Sequence, residues 1–156
     1  MMAASDLPHF CQGAFWQDLP VGWKARTRRR TITESDLVAF VSATGMLESM
    51  FLDTTHQGLL PDRPVPAALT LSFIEGMQLQ SLLQGTGLAL LELSLVARAP
   101  VCAGNTVWAS VEVTELRPTS AGNRAVVSFA VEVFDQDERH VLSYTVKRLL
   151  CGRETP

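Results

Sequence analysis

Residues 44–53, TGMLESMFLD, hold the chain's most suggestive chemistry. A loop after a helix can present acid–base groups, but Met46, Leu47, Met50 and Phe51 are apolar, and only Glu48 and Asp53 ionise. A carboxyl beside methionine and phenylalanine side chains would be partly desolvated. Desolvation disfavours the charged form and lifts the pKa toward neutrality, where one group can both accept and donate a proton. Glu48 and Asp53 are therefore the candidate catalytic pair. Each also has a plainer role: Asp53 can cap the segment that follows it, and Glu48 can be a solvated loop carboxylate. His56 is the nearest imidazole and reads as a surface histidine. His9 and His140 show no partner in the sequence. Glu75, inside an apolar stretch, needs a partner or a wet flank: it can bond a neighbouring chain or shape an internal tunnel.

Other chemistries find no support. Cys11, Cys102 and Cys151 are odd in number and widely spaced, which fits neither a disulfide framework nor a metal site. They read as free thiols in a reducing compartment, so a cytoplasmic location is expected. There is no Gly-rich phosphate loop, zinc-ligand spacing or Gly-x-Ser-x-Gly elbow. No metal and no dissociable cofactor are expected.

The elements that must position this loop follow from periodicity. Residues 33–44 predict a helix: Thr33 suits the N-cap, Glu34 and Asp36 the first turn, and Gly45 the stop. Residues 66–84 predict a second helix, with Pro66 in its first position and Gly85 as its stop. Ala67, Ala68, Leu69, Leu71, Phe73, Ile74, Met77, Leu82 and Leu83 cover most of its circumference, which predicts burial on nearly all sides. After Gly87 the period becomes two. Four strands are expected, around Leu91–Ala97, Val107–Val113, Val127–Val133 and His140–Arg148, joined by turn-rich connections. Lys24, Arg26, Arg28 and Arg30 alternate as the wet face of a further strand would; the other reading of this run is a phosphate contact.

The chain has 156 residues, 47% of them hydrophobic and 19% charged, with a net charge of -3. That describes one globular domain and argues against nucleic acid or an anionic membrane as partner. The start, MMAASDLPHF, lacks the basic and apolar regions of a secretion signal. The longest apolar stretch is broken by Thr70, Ser72, Glu75 and Gln78, so no membrane span is expected. Residues 1–14 read as a flexible N-terminal segment and 15–152 as the domain. One buried helix and a run of antiparallel strands have an economical α+β solution, a sheet curled around the helix. Its open edges would favour a partner chain.

Three blocks carry a family resemblance. RTITESDLVAFVSATG, ending at Gly45, RPVPAALTLSFIEGM (63–77) and APVCAGNTV (99–107) resemble, in order and spacing, blocks of the MaoC-like acyl-CoA hydratases and dehydratases, which have the hotdog fold. Asn105 stands where that family has aspartate. The resemblance implies acyl thioesters of coenzyme A or an acyl carrier as substrate, with the carrier part of the substrate rather than a cofactor. It also implies a loop of the form Gly-Asp-x-Asn-Pro-x-His-x-Asp after the first helix, whose Asp and His hold a water and shuttle protons. Backbone N–H groups at the start of the central helix, here at Ala67 and Ala68, would polarise the thioester carbonyl.

On this chain Gly45 and Asp53 match that loop, but Met46 stands at the Asp position and Phe51 at the His position. Glu48 replaces Asn and Ser49 replaces Pro. Neither Met nor Phe transfers protons. His56 lies three residues past Asp53, where the family's histidine lies two before it, so a compensating shift is the alternative to a surface role. Met46, Met50 and Phe51 either plug the old site or wall an acyl chain. Two functions follow. One is an acyl-thioester hydratase or dehydratase rebuilt on Glu48 and Asp53, with a hotdog thioesterase as its variant. The other is a non-catalytic acyl-thioester-binding module or inactive partner subunit. A homodimer or higher assembly is expected in either case.

Overall fold

The computed structural model describes residues 11–60, 62–120 and 122–153. Most of the expected N-terminal segment, His9 included, lies outside them. After a single 3-10 turn at Trp16–Asp18 come β1 (Lys24–Arg26), β2 (Arg30–Thr31), α1 (Glu34–Thr44), α2 (Ser49–Leu52), α3 (Ala67–Leu79), β3 (Gly87–Ala97), β4 (Thr106–Pro118), β5 (Arg124–Phe134) and β6 (His140–Cys151). The sheet runs β1-β4-β5-β6-β3, with antiparallel neighbours throughout, and β2 also pairs with β4. This is the α+β hotdog domain, an antiparallel sheet around α3.

The period-two reading places the core. Val107, Ala109, Val111 and Val113 of β4 and Val127, Phe129, Val131 and Val133 of β5 are buried, as are Leu142, Tyr144 and Val146 of β6. Leu69 and Ile74 of α3 and Leu37 and Val41 of α1 close the core from the helical side. The basic run forms two short exposed strands, β1 and β2, with Thr27 between them bonding both ways to Ala109. Lys24 pairs with Glu112 on β4 at 2.7 Å.

α1 begins and ends where its punctuation predicts. The Thr33 hydroxyl accepts from the Asp36 N–H at 3.1 Å, and the Asp36 carboxylate accepts from the Thr33 N–H at 2.8 Å. The Thr33 hydroxyl also donates to the Asp36 carboxylate at 2.7 Å, and that bond, followed by the one from the Thr33 N–H, holds the Asp36 carboxyl below its ordinary pKa. Gly45 ends the helix in the left-handed region, at φ 74°. Thr33→Ala is expected to cost ~1 kcal/mol, a fall in Tm of roughly 2–4 °C. Because the Asp36 pKa is lowered in the fold, its contribution is present at neutral pH and lost as the pH falls through the folded-state value. Thermal melts of Thr33→Ala at neutral and acid pH check both points: the gap from the native protein should shrink in acid.

Two expectations need correction. α3 spans Ala67–Leu79 rather than 66–84: Pro66 is its N-cap, and the chain turns from Gln80 onward. The stop comes early because residues 80–86 fold back as turns. The carbonyls of Leu82 and Gln84 accept from Ala14 and Gly13, at 2.9 and 2.7 Å. Nor is α3 buried on all sides. Leu69, Thr70, Ile74 and Gln78 face the core, while Leu79 remains half-exposed. β3 is likewise open: of its eleven residues only Leu95 is partly covered. A single sheet covers one flank of α3, and β3 lies at its edge with no further strand beyond it among the described residues.

Glu75 finds its partners within the chain. Its carboxylate pairs with Arg148 and accepts from the Tyr144 hydroxyl at 2.7 Å and from the Gln78 amide at 3.2 Å. Burial, then the Glu75 charge, pushes the Tyr144 pKa far above its ordinary value, so this hydroxyl remains a donor. The cluster locks α3 onto β6.

Candidate functional site

The loop after α1 is partly helical. Gly45 turns the chain, Glu48 becomes the N-cap of α2, and Asp53 its C-cap. Arg63 holds this turn in place: its Nε donates to the Phe51 carbonyl at 2.7 Å, and its other arm pairs with Glu34 on α1. No local signal points to that role, since Arg63 and Glu34 lie 29 residues apart. Beside it, Val65 donates to Val101 at 2.8 Å and Pro64 bridges to Cys102, which ties the entry of α3 to the turn before β4. In that turn the Asn105 side-chain oxygen accepts from the Cys102 N–H at 2.9 Å. A carboxylate could accept the same bond, so the turn survives the change from aspartate.

These segments enclose an apolar cleft of about 420 Å³ against the start of α3. Phe51, Ala67, Thr70, Ala97, Val101 and Leu142 are among its lining residues. Its volume is that of a small-molecule site. A second hollow of about 460 Å³ adjoins it, lined by Asp53, His56, Asp62 and Arg63 among others. Met50, Leu60 and Pro64 line both, so the two spaces share a wall.

The candidate residues divide between these spaces. Phe51 and Ala67 line the cleft; Ala68 does not, and its carbonyl accepts from Ser72 at 2.7 Å. Met46 is 39% exposed and lines neither space, nor does Glu48. Asp53 and His56 come together at the second hollow, where the His56 N–H donates to the Asp53 carbonyl at 3.2 Å. The expected desolvation of Asp53 is not found. It is exposed, and its carboxylate accepts from the Thr55 hydroxyl at 2.6 Å and the Thr55 N–H at 2.8 Å. Those bonds lower its pKa, with a smaller pull from His56. Asp53 thus makes the turn-capping contact weighed from the sequence. Thr70 stands out in the sequence only as a break in the apolar stretch: it is buried at the cleft, yet its hydroxyl has no protein partner among the described residues.

Residues 20–144 match the family described as FAS1-like, dehydratase domain region. The chain belongs to that family. Solved structures agree with a MaoC-like hotdog hydratase/dehydratase fold. An (R)-hydratase from A. caviae, involved in PHA biosynthesis, is 25% identical with a TM-score of 0.70, over 88% of this chain and 99% of that one. A MaoC domain protein dehydratase from Chloroflexus aurantiacus is 25% identical with a TM-score of 0.84, over 92% of this chain but 42% of that one. A MaoC-like dehydratase from Rhodospirillum rubrum shares the fold at 20% identity and a TM-score of 0.78, over 92% of this chain and 100% of that one. Among curated proteins no sequence matches. Within this FAS1-like dehydratase region, the described residues contain no cluster able to hold a metal ion and no helix long and apolar enough to cross a membrane.

Proposed function

We propose that this hydratase/dehydratase-family chain binds acyl thioesters of coenzyme A or an acyl carrier, and that it does so without the family's usual acid–base pair. The observation that carries this reading is the apolar cleft at the start of α3, with Phe51 in its wall and neither Glu48 nor Asp53 lining it. The first N–H groups of a helix have no intrahelical acceptor. Ala67 therefore offers the thioester carbonyl a donor beside the cleft, and its small side chain lets the ligand approach. The acyl chain lies between Phe51 and Leu142. Free cysteines suit a reducing, cytoplasmic setting.

Binding is measured by calorimetric titration of a saturated and an enoyl-CoA series, with hydration followed on the same enoyl thioesters. The expected result is saturable binding, with turnover of the native protein no greater than that of Asp53→Asn, Glu48→Gln or His56→Gln. Replacing Ala67 by tryptophan should abolish binding while leaving the fold intact by circular dichroism. Unchanged binding in that variant would remove the site.

A second reading rests on the wall shared by the two hollows. Asp53 and His56 line the hollow that shares Met50, Leu60 and Pro64 with the acyl cleft, so a rebuilt acid–base pair there, joined by Glu48 from the same loop, could serve a hydratase or a thioesterase. A fall of ~100- to 10,000-fold on replacing either carboxylate or His56 would establish that reading in place of the first.

The assembly we propose is a dimer of two copies, joined along β3. This strand pairs with β6 on one side only among the described residues; its other side is a long, largely apolar edge, and an antiparallel copy of itself satisfies the N–H and C=O groups there.

A further inference from the structure

Thr70 does not satisfy its hydroxyl as Thr44, Ser72 and, just past the end of α3, Ser81 do. Thr44, Ser72 and Ser81 each donate to the carbonyl four residues back, at 2.7, 2.7 and 2.6 Å. This is the usual way for a hydroxyl on a helix to satisfy itself. The carbonyl four residues before Thr70 is that of Pro66, which accepts the Leu69 and Thr70 N–H groups instead. The Thr70 hydroxyl makes no hydrogen bond to the protein among the described residues, although the residue is only 1% exposed. Such a group is costly to leave unpaired. Threonine is also an odd choice in the wall of a cleft that Phe51, Val101, Val141 and Leu142 line as well, where valine would have nearly the same shape without the cost. Thr70 is among the residues that line the cleft, one helical turn beyond Ala67.

We infer that Thr70 selects acyl thioesters carrying an oxygen substituent partway along the chain, a hydroxyl or a keto group, over plain acyl chains. The inference rests on the acyl-binding reading above and adds the substrate class to it. Three residues of helix advance about 4.5 Å. A thioester carbonyl at Ala67 thus brings about the fourth or fifth carbon of an extended acyl chain to the Thr70 hydroxyl. A hydroxyl is both donor and acceptor, so it serves a keto oxygen or an alcohol equally. An unsubstituted chain leaves it unpaired on ligand binding, and that is the discrimination.

The test uses the full chain and its Thr70→Val variant, titrated with 4-oxopentanoyl-CoA, 5-oxohexanoyl-CoA and the parent pentanoyl- and hexanoyl-CoA. The native protein should prefer at least one oxo ligand over its parent by about tenfold, the size of one net hydrogen bond. Thr70→Val should erase that preference and bind the parents as well as native or better. An unaltered preference, or none in the native protein, overturns the role of Thr70 while the acyl-binding reading stands. Failure of all four ligands to bind the native protein overturns both. A second readout needs no ligand: Thr70→Val should melt at or above the native temperature, and a marked fall would show that the hydroxyl is already paired within the fold and overturn the inference.

Discussion

Replacing Glu75 by alanine is expected to lower stability by roughly 3–5 kcal/mol, because it leaves Arg148 charged, buried and without its partner. The Arg148 side chain is 6% exposed and that of Glu75 15%, so solvent does little to screen either. Tyr144 and Gln78 lose an acceptor in the same step. In a chain of 156 residues this corresponds to a fall in Tm of about 6–20 °C. Removing both charges together, as Glu75→Met with Arg148→Met, should recover most of the loss, since apolar replacement of a whole buried pair is often neutral. Urea unfolding of the native protein, both single variants and the double variant at one protein concentration gives the coupling directly. A single-variant cost below ~1 kcal/mol would mean that the pair is solvated in the folded protein.

That cluster also shows where the sequence stops being legible. Glu75 could be recognised as a residue in need of a partner, because a carboxylate inside an apolar helix is costly on its own. Nothing local could point to Arg148, 73 residues away on a strand whose alternation looks like any other. The same holds for Arg63, which finds Glu34 and the Phe51 carbonyl only once the chain has folded back. Elements governed by short-range rules were readable: the α1 cap at Thr33, the Gly45 stop, and the alternating cores of β4 and β5. α3 ran shorter than its apolar pattern because that pattern continues through Leu82 and Leu83, which pack as turns rather than as helix. At the site, the sequence identified the loop and its missing proton donors. Which side chains share a cavity depended on the turn at α2, and that separated Asp53 from Phe51 and left Glu48 outside both hollows. Thr70 showed only as a polar break in the apolar stretch and not as a site residue, since a threonine in a helix normally satisfies itself.

The largest effect is expected at the open edge of the sheet. Changing Leu91 and Leu93 of β3 together to lysine should convert an assembled protein to monomers. Leu88, Leu90, Leu91, Leu93 and Val96 are between 38% and 53% exposed, a run of large apolar side chains on one strand. A monomer that kept such an edge uncovered would invite uncontrolled pairing, and β3 carries little to blunt it: two register irregularities against β6, at Gly87–Ala89 and Leu90–Glu92, and one charge, Glu92, which Lys147 neutralises at 2.7 Å. Burying a leucine contributes about 1.5–3 kcal/mol. Leu91 is 53% and Leu93 38% exposed before association, so two positions on each of two copies carry roughly 3–5 kcal/mol, before any penalty for the introduced charges. That is about 100- to 10,000-fold in dissociation constant, enough with those charges to dissociate a dimer at micromolar concentration. The lysines project from an already exposed strand, so β3 should still pair with β6 and the monomer should remain folded. Sedimentation velocity of the native protein and the double variant, with circular dichroism as the control on folding, decides the matter. A native protein that sediments as a folded monomer at micromolar concentration would sink the self-association. A native protein that is monomeric alone but becomes dimeric on adding a second hotdog chain with an intact Asp/His pair would recast this one as the partner subunit of an active enzyme, joined along the same edge.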